Sequence, residues 1–172
     1  MKRLVVFQSE TGFTAKYAAW IAEELSCEAK ELKHVTTGEL AEYDSIIFGG
    51  WIMGGMISGL EKLRKMNPKQ LVVFAVGAGA DREAVRARLQ EQNHLEETPF
   101  FYLEGGLAFE RMKFFPKMML KMMAKSIAGK ENKTEEEKEM EKKFAGSFDH
   151  AERASIEPLV TAAKQNDSKC SE

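Results

Sequence analysis

The sequence predicts a single α/β domain in which helices cover both faces of a parallel β-sheet. The runs Leu4–Phe7 and Leu71–Val76 consist of apolar residues without alternating polar positions, which is typical of strands buried on both faces. Segments with helical spacing of apolar residues separate such runs, so strands and helices alternate along the chain. The 172 residues fit one domain, which we place at 1–166, followed by a disordered polar tail at 167–172.

Five strands and five helices are predicted, and they alternate in chain order. The strands are Leu4–Phe7, Glu28–Leu32, Ser45–Gly49, Gln70–Val76 and Pro99–Leu103. The helices are Thr14–Ser26, Gly38–Tyr43, Ser58–Met66, Asp81–Gln92 and Asp149–Lys164.

Local signals set the boundaries of these helices. The apolar residues from Ala15 to Leu25 recur at helical spacing along one face of the first helix. Pro68 ends the third helix because proline lacks the N–H group that would continue the ladder. Asp81 is a good N-cap for the fourth helix, and Pro158 predicts a kink or a late start in the last one.

The polar loop between the first strand and the first helix carries the strongest functional signal. Its residues are Ser9, Glu10, Thr11, Gly12, Phe13 and Thr14. A phosphate in this loop would meet unpaired N–H groups, the positive end of the helix dipole and neutral hydroxyl donors. The loop therefore has two interpretations, a phosphate site or an ordinary capped turn. It is not a Walker loop, because the Gly-Lys-Ser/Thr ending is missing.

Two glycine-rich segments after the third and fourth strands support the phosphate interpretation. Ligands of open parallel sheets bind beyond the carboxyl ends of the strands, where the strand order reverses. Glycines let the backbone approach a flat polar ring, and Trp51 fits either stacking on that ring or packing in the core. The candidate ring-binding residues are Gly49, Gly50, Trp51, Ile52, Met53 and Gly54 in the first segment and Gly77, Ala78, Gly79, Ala80 and Asp81 in the second.

The pattern Ser9-x-Thr11-Gly12-x-Thr14 resembles the phosphate signature of the flavodoxins, and the two glycine-rich segments match in position the loops that hold the isoalloxazine ring. The resemblance covers about 2–106 and the last helix. It implies a flavodoxin-like, doubly wound, five-stranded parallel sheet in the order 2-1-3-4-5, with FMN as the cofactor. The 9–14 loop would then hold the FMN phosphate, Gly50 and Trp51 would face the flavin, and residues 78–80 would approach its pyrimidine edge.

A helical, charged insertion at about 107–146 precedes the last helix. Four lysines recur in it at every fourth residue, among methionines and phenylalanines, a pattern that fits docking of a partner or electron acceptor. The candidate docking residues are Lys113, Lys117, Lys121, Lys125, Met118 and Met122. Two other interpretations stay open: the helix covers the sheet edge or the flavin site, or it contacts a membrane surface, which is not favoured.

In layout, the insertion is similar to that of the menaquinone-linked, flavodoxin-like protoporphyrinogen oxidases. Two functional hypotheses follow from the resemblances. One is a redox protein that passes electrons from FMN to a partner reductase or acceptor. The other is an FMN-dependent oxidoreductase that oxidises a porphyrinogen or reduces a quinone. No residue stands out in the sequence as a catalytic acid, base, nucleophile or metal ligand.

Composition limits the classes of partner that are expected and indicates where the protein is located in the cell. The net charge is −2, from 25 basic and 27 acidic residues. Because the two charges nearly balance, the sequence gives no reason to expect nucleic acid as a partner. The sequence has neither a signal-peptide pattern nor a disulfide framework, which predicts a cytoplasmic protein. The oligomeric state stays open.

Overall fold

The computed structural model describes residues 1–144 and 146–169. The strands are β1 (Arg3–Gln8), β2 (Glu28–Glu31), β3 (Ser45–Met53), β4 (Met56–Ile57), β5 (Leu71–Gly77), β6 (Phe100–Glu104), β7 (Gly106–Leu107) and β8 (Phe148–Asp149). The helices are α1 (Phe13–Glu24), α2 (Thr37–Leu40), α3 (Leu60–Arg64), α4 (Glu83–Gln92), α5 (Phe114–Ala128), α6 (Glu135–Lys143) and α7 (Glu157–Lys169).

The central sheet has the predicted order of parallel strands. Its five main strands lie in the order β2-β1-β3-β5-β6, and all four neighbouring pairs are parallel. The short strand β4 pairs antiparallel with the end of β3. When β4 is left out, the order is 2-1-3-4-5, as the resemblance to the flavodoxins implies. Because the chain moves to opposite sides from β1 and β3, a crevice opens at the carboxyl ends of these two strands.

The two faces of the sheet have separate apolar cores. Side chains alternate along a strand, so Val5 packs with α1 and α7 on one face. Leu4 and Val6 pack on the other face with Leu60 and Leu63 of α3. All five side chains are buried, which explains why the strands consist of continuous apolar runs.

Strand β3 extends four residues beyond the predicted end at Gly49. Gly50, which was predicted to lie in a loop, is therefore a member of the parallel ladder with β1 and β5, as is Gly49 at the predicted end of the strand. A Cβ atom at Gly49 would overlap the Phe74 ring, and one at Gly50 would lie 2.5 Å from the carbonyl oxygen of Ser58. Close packing inside the sheet, rather than a turn, requires these two glycines.

The start of α4 also differs from the prediction. Its N-cap is Arg82, whereas Asp81 was expected there. The Asp81 carboxylate instead forms an ion pair with Arg86 at 2.8 Å, one turn into the helix.

Helix α7 starts late, at Glu157, after a 3₁₀ turn at Arg153–Ile156. Pro158 lies in its first turn, where the missing N–H group costs no helical hydrogen bond. The helix continues to Lys169, three residues into the segment that was predicted to be a disordered tail. Residues 170–172 lie outside the described part of the chain.

The insertion is closed at its base by β7 and β8, which pair antiparallel through Leu107 and Phe148. It contains α5 and α6, which we call the helical cover. A capping box formed by Thr134 and Glu137 starts α6. Within residues 1–144 and 146–169, none of the helices has the length and apolar character that crossing a membrane requires.

Asn93 holds the turn between β3 and β4 in place. Its side chain is 2% exposed, and its Oδ1 accepts a hydrogen bond from the Ile57 N–H at 2.9 Å. Its Nδ2 donates to the carbonyl oxygens of Gly55, at 2.8 Å, and Leu89, at 2.9 Å. Gly54 and Gly55 adopt positive φ values of 59° and 84° in this turn. One buried amide therefore ties the end of β3 to α4.

Replacing Asn93 by leucine keeps a similar volume but leaves the Ile57 N–H and the Gly55 carbonyl without this partner. We expect the free energy of unfolding to fall by about 2–4 kcal/mol. The exposed neighbour Glu91 provides the control, since Glu91→Leu is expected to change it by less than about 0.5 kcal/mol. Urea unfolding followed by circular dichroism measures both variants, and equal stability would contradict the role of Asn93.

Candidate functional site

A cavity of about 500 Å³ lies at the carboxyl ends of β1, β3 and β5. Its walls come from the 9–14 loop, the end of β3, the segment after β5 and the helical cover. A volume in this range accommodates one ligand of the size of a small cofactor. The sheet topology thus brings segments far apart in sequence to the position where parallel sheets bind ligands.

The loop after β1 forms a polar end of the cavity. Thr11, Phe13 and Thr14 line it, whereas Ser9 and Gly12 do not. Gly12 is the N-cap of α1, with a φ of 101°, and its N–H donates to the Ser9 Oγ at 3.1 Å. Among the described residues, no side chain caps α1, so the N–H groups of its first turn are available to an anion.

The Glu10 side chain contacts the insertion and also lines the cavity. Its carboxylate, 10% exposed, accepts a hydrogen bond from the Lys113 N–H at 3.1 Å and lies 3.4 Å from the Lys113 Nζ. Since a carboxylate repels a phosphate, only the backbone of Glu10, and not its side chain, suits a phosphate site. Arg111 places its Nη1 3.6 Å from the position of a Cβ atom on Gly12. This cation was missed in the sequence because it lies almost a hundred residues from the loop.

The end of β3 forms an apolar wall. Trp51, Ile52, Met53 and Gly54 line the cavity, whereas Gly49 and Gly50 lie deeper in the sheet and do not. The last residue that pairs with β1 is Gly50, so β3 extends past its neighbour from Trp51 onward. Trp51, Ile52 and Met53, which were predicted to lie in a loop, are therefore part of an extended strand, whereas Gly54 lies in the turn to β4.

The segment after β5 forms the opposite wall. Gly77, Ala78, Gly79 and Ala80 line the cavity, and Asp81 does not. The Tyr102 hydroxyl donates a hydrogen bond to the Gly79 carbonyl oxygen at 2.7 Å and so fixes this segment on β6. Burial, together with the nearby Glu104 charge, raises the pKa of Tyr102, which keeps the hydroxyl protonated as a donor.

The helical cover forms the last wall, a position that agrees with the interpretation of the insertion helix as a cover of the predicted cofactor site. Its apolar cavity-facing residues are Pro116, Met119, Leu120, Met123, Met140 and Phe144. The predicted docking residues Met118, Met122, Lys121 and Lys125 are exposed on the other side of α5. Lys117 is half-buried, and Lys113 is the N-cap of α5 rather than part of the helix. The periodicity of an α-helix would have been enough to assign the cavity-facing and the exposed residues to different sides of α5.

Polar contacts hold α6 against the sheet. The Lys143 Nζ donates to the Ala78 carbonyl oxygen and to the Glu104 carboxylate, both at 2.9 Å. Burial alone would raise the pKa of Glu104, but hydrogen bonds from His150 and Lys143 outweigh it and hold that pKa below its usual range. Glu104 is therefore ionised at neutral pH and binds Lys143. A second ion pair joins Glu139 to Arg82 at 2.8 Å.

Comparison with known protein families identifies the fold. A family model described as Flavodoxin domain matches residues 4–135. The chain belongs to the flavodoxin domain family. The matched range holds the whole parallel sheet, the three loops around the cavity and α5. This result confirms the resemblance carried by the 9–14 loop, while the finer likeness to the protoporphyrinogen oxidases stays a prediction. No curated protein matches the sequence significantly.

Several solved flavodoxin-like structures resemble parts of the chain. A putative flavoprotein from Bacteroides eggerthii DSM 20697 has 14% identity and a TM-score of 0.43, covering 59% of this chain and 85% of its own. Oxidised Flavodoxin 2 from Bacillus cereus has 21% identity and a TM-score of 0.42, covering 60% and 86%. A flavoprotein from Lactobacillus acidophilus NCFM, solved in complex with FMN, has 17% identity and a TM-score of 0.40, covering 60% and 91%. Because these scores are low, the assignment rests on the family model and the strand order.

Replacing Lys143 by methionine removes the bonds to Ala78 and Glu104, so we expect α6 to separate from the sheet more often. Amide hydrogen exchange in α6 and at residues 78–80 is expected to become about tenfold faster. The neighbouring Lys142 is exposed, and Lys142→Met serves as the control with unchanged exchange. Equal exchange in the two variants would show that Lys143 does not hold the cover.

The lowered pKa of Glu104 also predicts a pH dependence. Its stabilising contribution is present above the unfolded carboxyl pKa of about 4.3 and is lost as the pH falls through the lower folded value. The Tm of the wild type is therefore expected to exceed that of Glu104→Gln at neutral pH, and the difference should vanish in acid. Calorimetry between about pH 7 and pH 3 measures this, and a difference that grows in acid would refute the assignment.

Proposed function

We propose that the chain binds FMN non-covalently in the cavity and acts as a redox protein. One observation carries this proposal: the cavity combines a polar end at the N-terminus of α1 with apolar walls at the ends of β3 and β5. A phosphate suits the first part, because N–H groups and the helix dipole face it. A planar ring suits the second, where Trp51 and Met53 line the cavity together with residues 77–80.

The residues present fit the parts of FMN. Thr11, Thr14 and the first-turn N–H groups of α1 would hold the phosphate, with Arg111 adding a charge beside Gly12. Trp51 would pack on the ring, and the backbone of residues 78–80 would meet its polar edge. Bound FMN would supply the capacity to accept and release electrons. The helical cover would exclude water from the apolar part of the cavity.

The proposed activity is electron transfer to a partner reductase or to another acceptor. The two acidic side chains on the cavity wall, Glu10 and Glu139, support electron transfer as the activity, because both form ion pairs that hold the insertion. Glu10 binds Lys113, and Glu139 binds Arg82. Carboxylates held in this way stabilise the fold around the cofactor rather than transferring protons to a substrate.

A second candidate is an FMN-dependent oxidoreductase of the protoporphyrinogen oxidase or quinone reductase type. It is supported by the cavity-facing methionines of the cover, Met119, Met123 and Met140. Methionine side chains are flexible and polarisable, so they adapt to flat apolar molecules such as a quinone or a tetrapyrrole.

Titration of the flavin-free protein with FMN, followed by quenching of flavin fluorescence, tests the proposed site. We expect Thr11→Glu to weaken FMN binding by at least about 100-fold, because it places a carboxylate beside the phosphate. Arg111→Gln is expected to weaken FMN binding by about tenfold but leave riboflavin binding unchanged, since riboflavin has no phosphate. Thr161→Glu, on the exposed side of α7, is the control.

Absence of FMN binding by the wild type would overturn the proposal, and equal binding by Thr11→Glu and Thr161→Glu would overturn the position of the phosphate.

The two candidate functions differ in what the reduced, FMN-loaded protein does without oxygen. Electron exchange with an added flavodoxin reductase, but no turnover of quinone analogues or porphyrinogen, would favour the electron carrier. Steady turnover of either small molecule without a partner protein would favour the oxidoreductase.

A further inference from the structure

Helix α5 has a second side, which faces away from the cavity and exposes large apolar residues. Phe114 is 81% exposed, Phe115 57% and Met122 64%. Of the eight exposed large apolar side chains in the described part of the chain, four lie on this side of α5, and a fifth, Met123, belongs to the same helix but lines the cavity. Apolar residues gathered in this way mark a contact surface, whereas single exposed ones do not.

A cationic strip runs beside these apolar residues. Residues 111–130 contain six basic and no acidic residues, a charge of +6, so the rest of the chain carries −8 to give the total of −2. Since a helix turns by about 100° per residue, Phe114, Phe115, Met118 and Met122 occupy about one quarter of its circumference. Lysines 117 and 121 lie directly beside this quarter, and Lys125 lies at its edge, between Phe114 and Met118. The outer surface of α5 therefore combines apolar and cationic side chains.

The outer surface also lacks the polar groups that protein interfaces use. From Phe114 to Lys125 the sequence has no Asp, Glu, Asn, Gln, Ser or Thr. Lysine ammonium groups are thus the polar side-chain groups of this stretch, and they donate but cannot accept hydrogen bonds. Specific protein interfaces normally contain about one hydrogen bond per 100–200 Å², so donors and acceptors of the two partners must be paired. A lipid surface does not require such pairing.

We propose that the outer surface of α5 binds anionic lipid bilayers. The phenylalanines and methionines would enter the boundary between headgroups and acyl chains, and the lysines would reach anionic headgroups through their long stems. The sequence pattern alone does not favour a membrane contact, because it does not show that the phenylalanines are free of the core. Since the other side of α5 lines the cavity, the bound bilayer would lie about one helix diameter, roughly 10 Å, from the candidate cofactor site.

Sedimentation of the full chain with vesicles tests this proposal. Vesicles of equal parts phosphatidylglycerol and phosphatidylcholine are expected to bind the protein at low salt and release it at high salt. Vesicles of phosphatidylcholine alone are expected to bind it weakly. The double variant Lys121→Gln/Lys125→Gln is expected to lower the partition coefficient by about 30-fold, and Phe114→Ser/Phe115→Ser by about tenfold or more.

A matched control removes two exposed lysines from another helix. Lys62→Gln/Lys65→Gln on α3 changes the net charge equally and is expected to retain most of the binding. An equal loss in this control, equal binding to both kinds of vesicle, or no binding to the anionic vesicles would overturn the proposal. Retention on immobilised polyglutamate without vesicle binding would indicate an acidic protein instead. FMN affinity, measured on the same variants, is expected to stay unchanged, so the lipid and cofactor proposals fail separately.

Discussion

The parallel pairing of β1 with β3 is the constraint on which the candidate site depends. The pairing ends at Gln8 and Gly50, where β1 turns into the loop before α1 while β3 continues. This offset leaves Trp51 beyond the end of β1, beside the uncapped N-terminus of α1. A polar anion-binding end and an apolar wall therefore become adjacent because of strand register, and no local sequence feature could bring them together.

The insertion completes the site with contacts that are mostly charged. Glu10 binds Lys113 at the start of α5, and Lys143 joins the end of α6 to Ala78 and Glu104. Because Lys143 and Glu104 are both mostly buried, water screens their interaction less than that of an exposed pair. The cover is thus attached at its two ends, with the methionines of its inner side facing the cavity.

Helix α5 gives the insertion two separate surfaces. Its inner side contributes Met119 and Met123 to the cavity, and its outer side exposes Phe114 and Phe115 next to lysines. A helix can serve both purposes because residues three and four positions apart share a side, while intervening ones point elsewhere. The proposed cofactor site and the proposed lipid-binding surface therefore lie on opposite sides of one helix.

The sequence by itself determined the α/β class and marked the 9–14 loop, because continuous apolar runs and a Ser/Thr-Gly loop are local patterns that can be recognised without knowing what packs against them. The strand order followed only from the family resemblance that these motifs carry. The sequence did not determine the end of β3, since Gly50 looks like a loop residue until the Ser58 carbonyl comes close to it. Asn93, Arg111 and Lys143 were also missed, because each acts on groups far from it in the chain. Only tertiary packing decides which residues such polar side chains meet and which side of α5 faces the cavity.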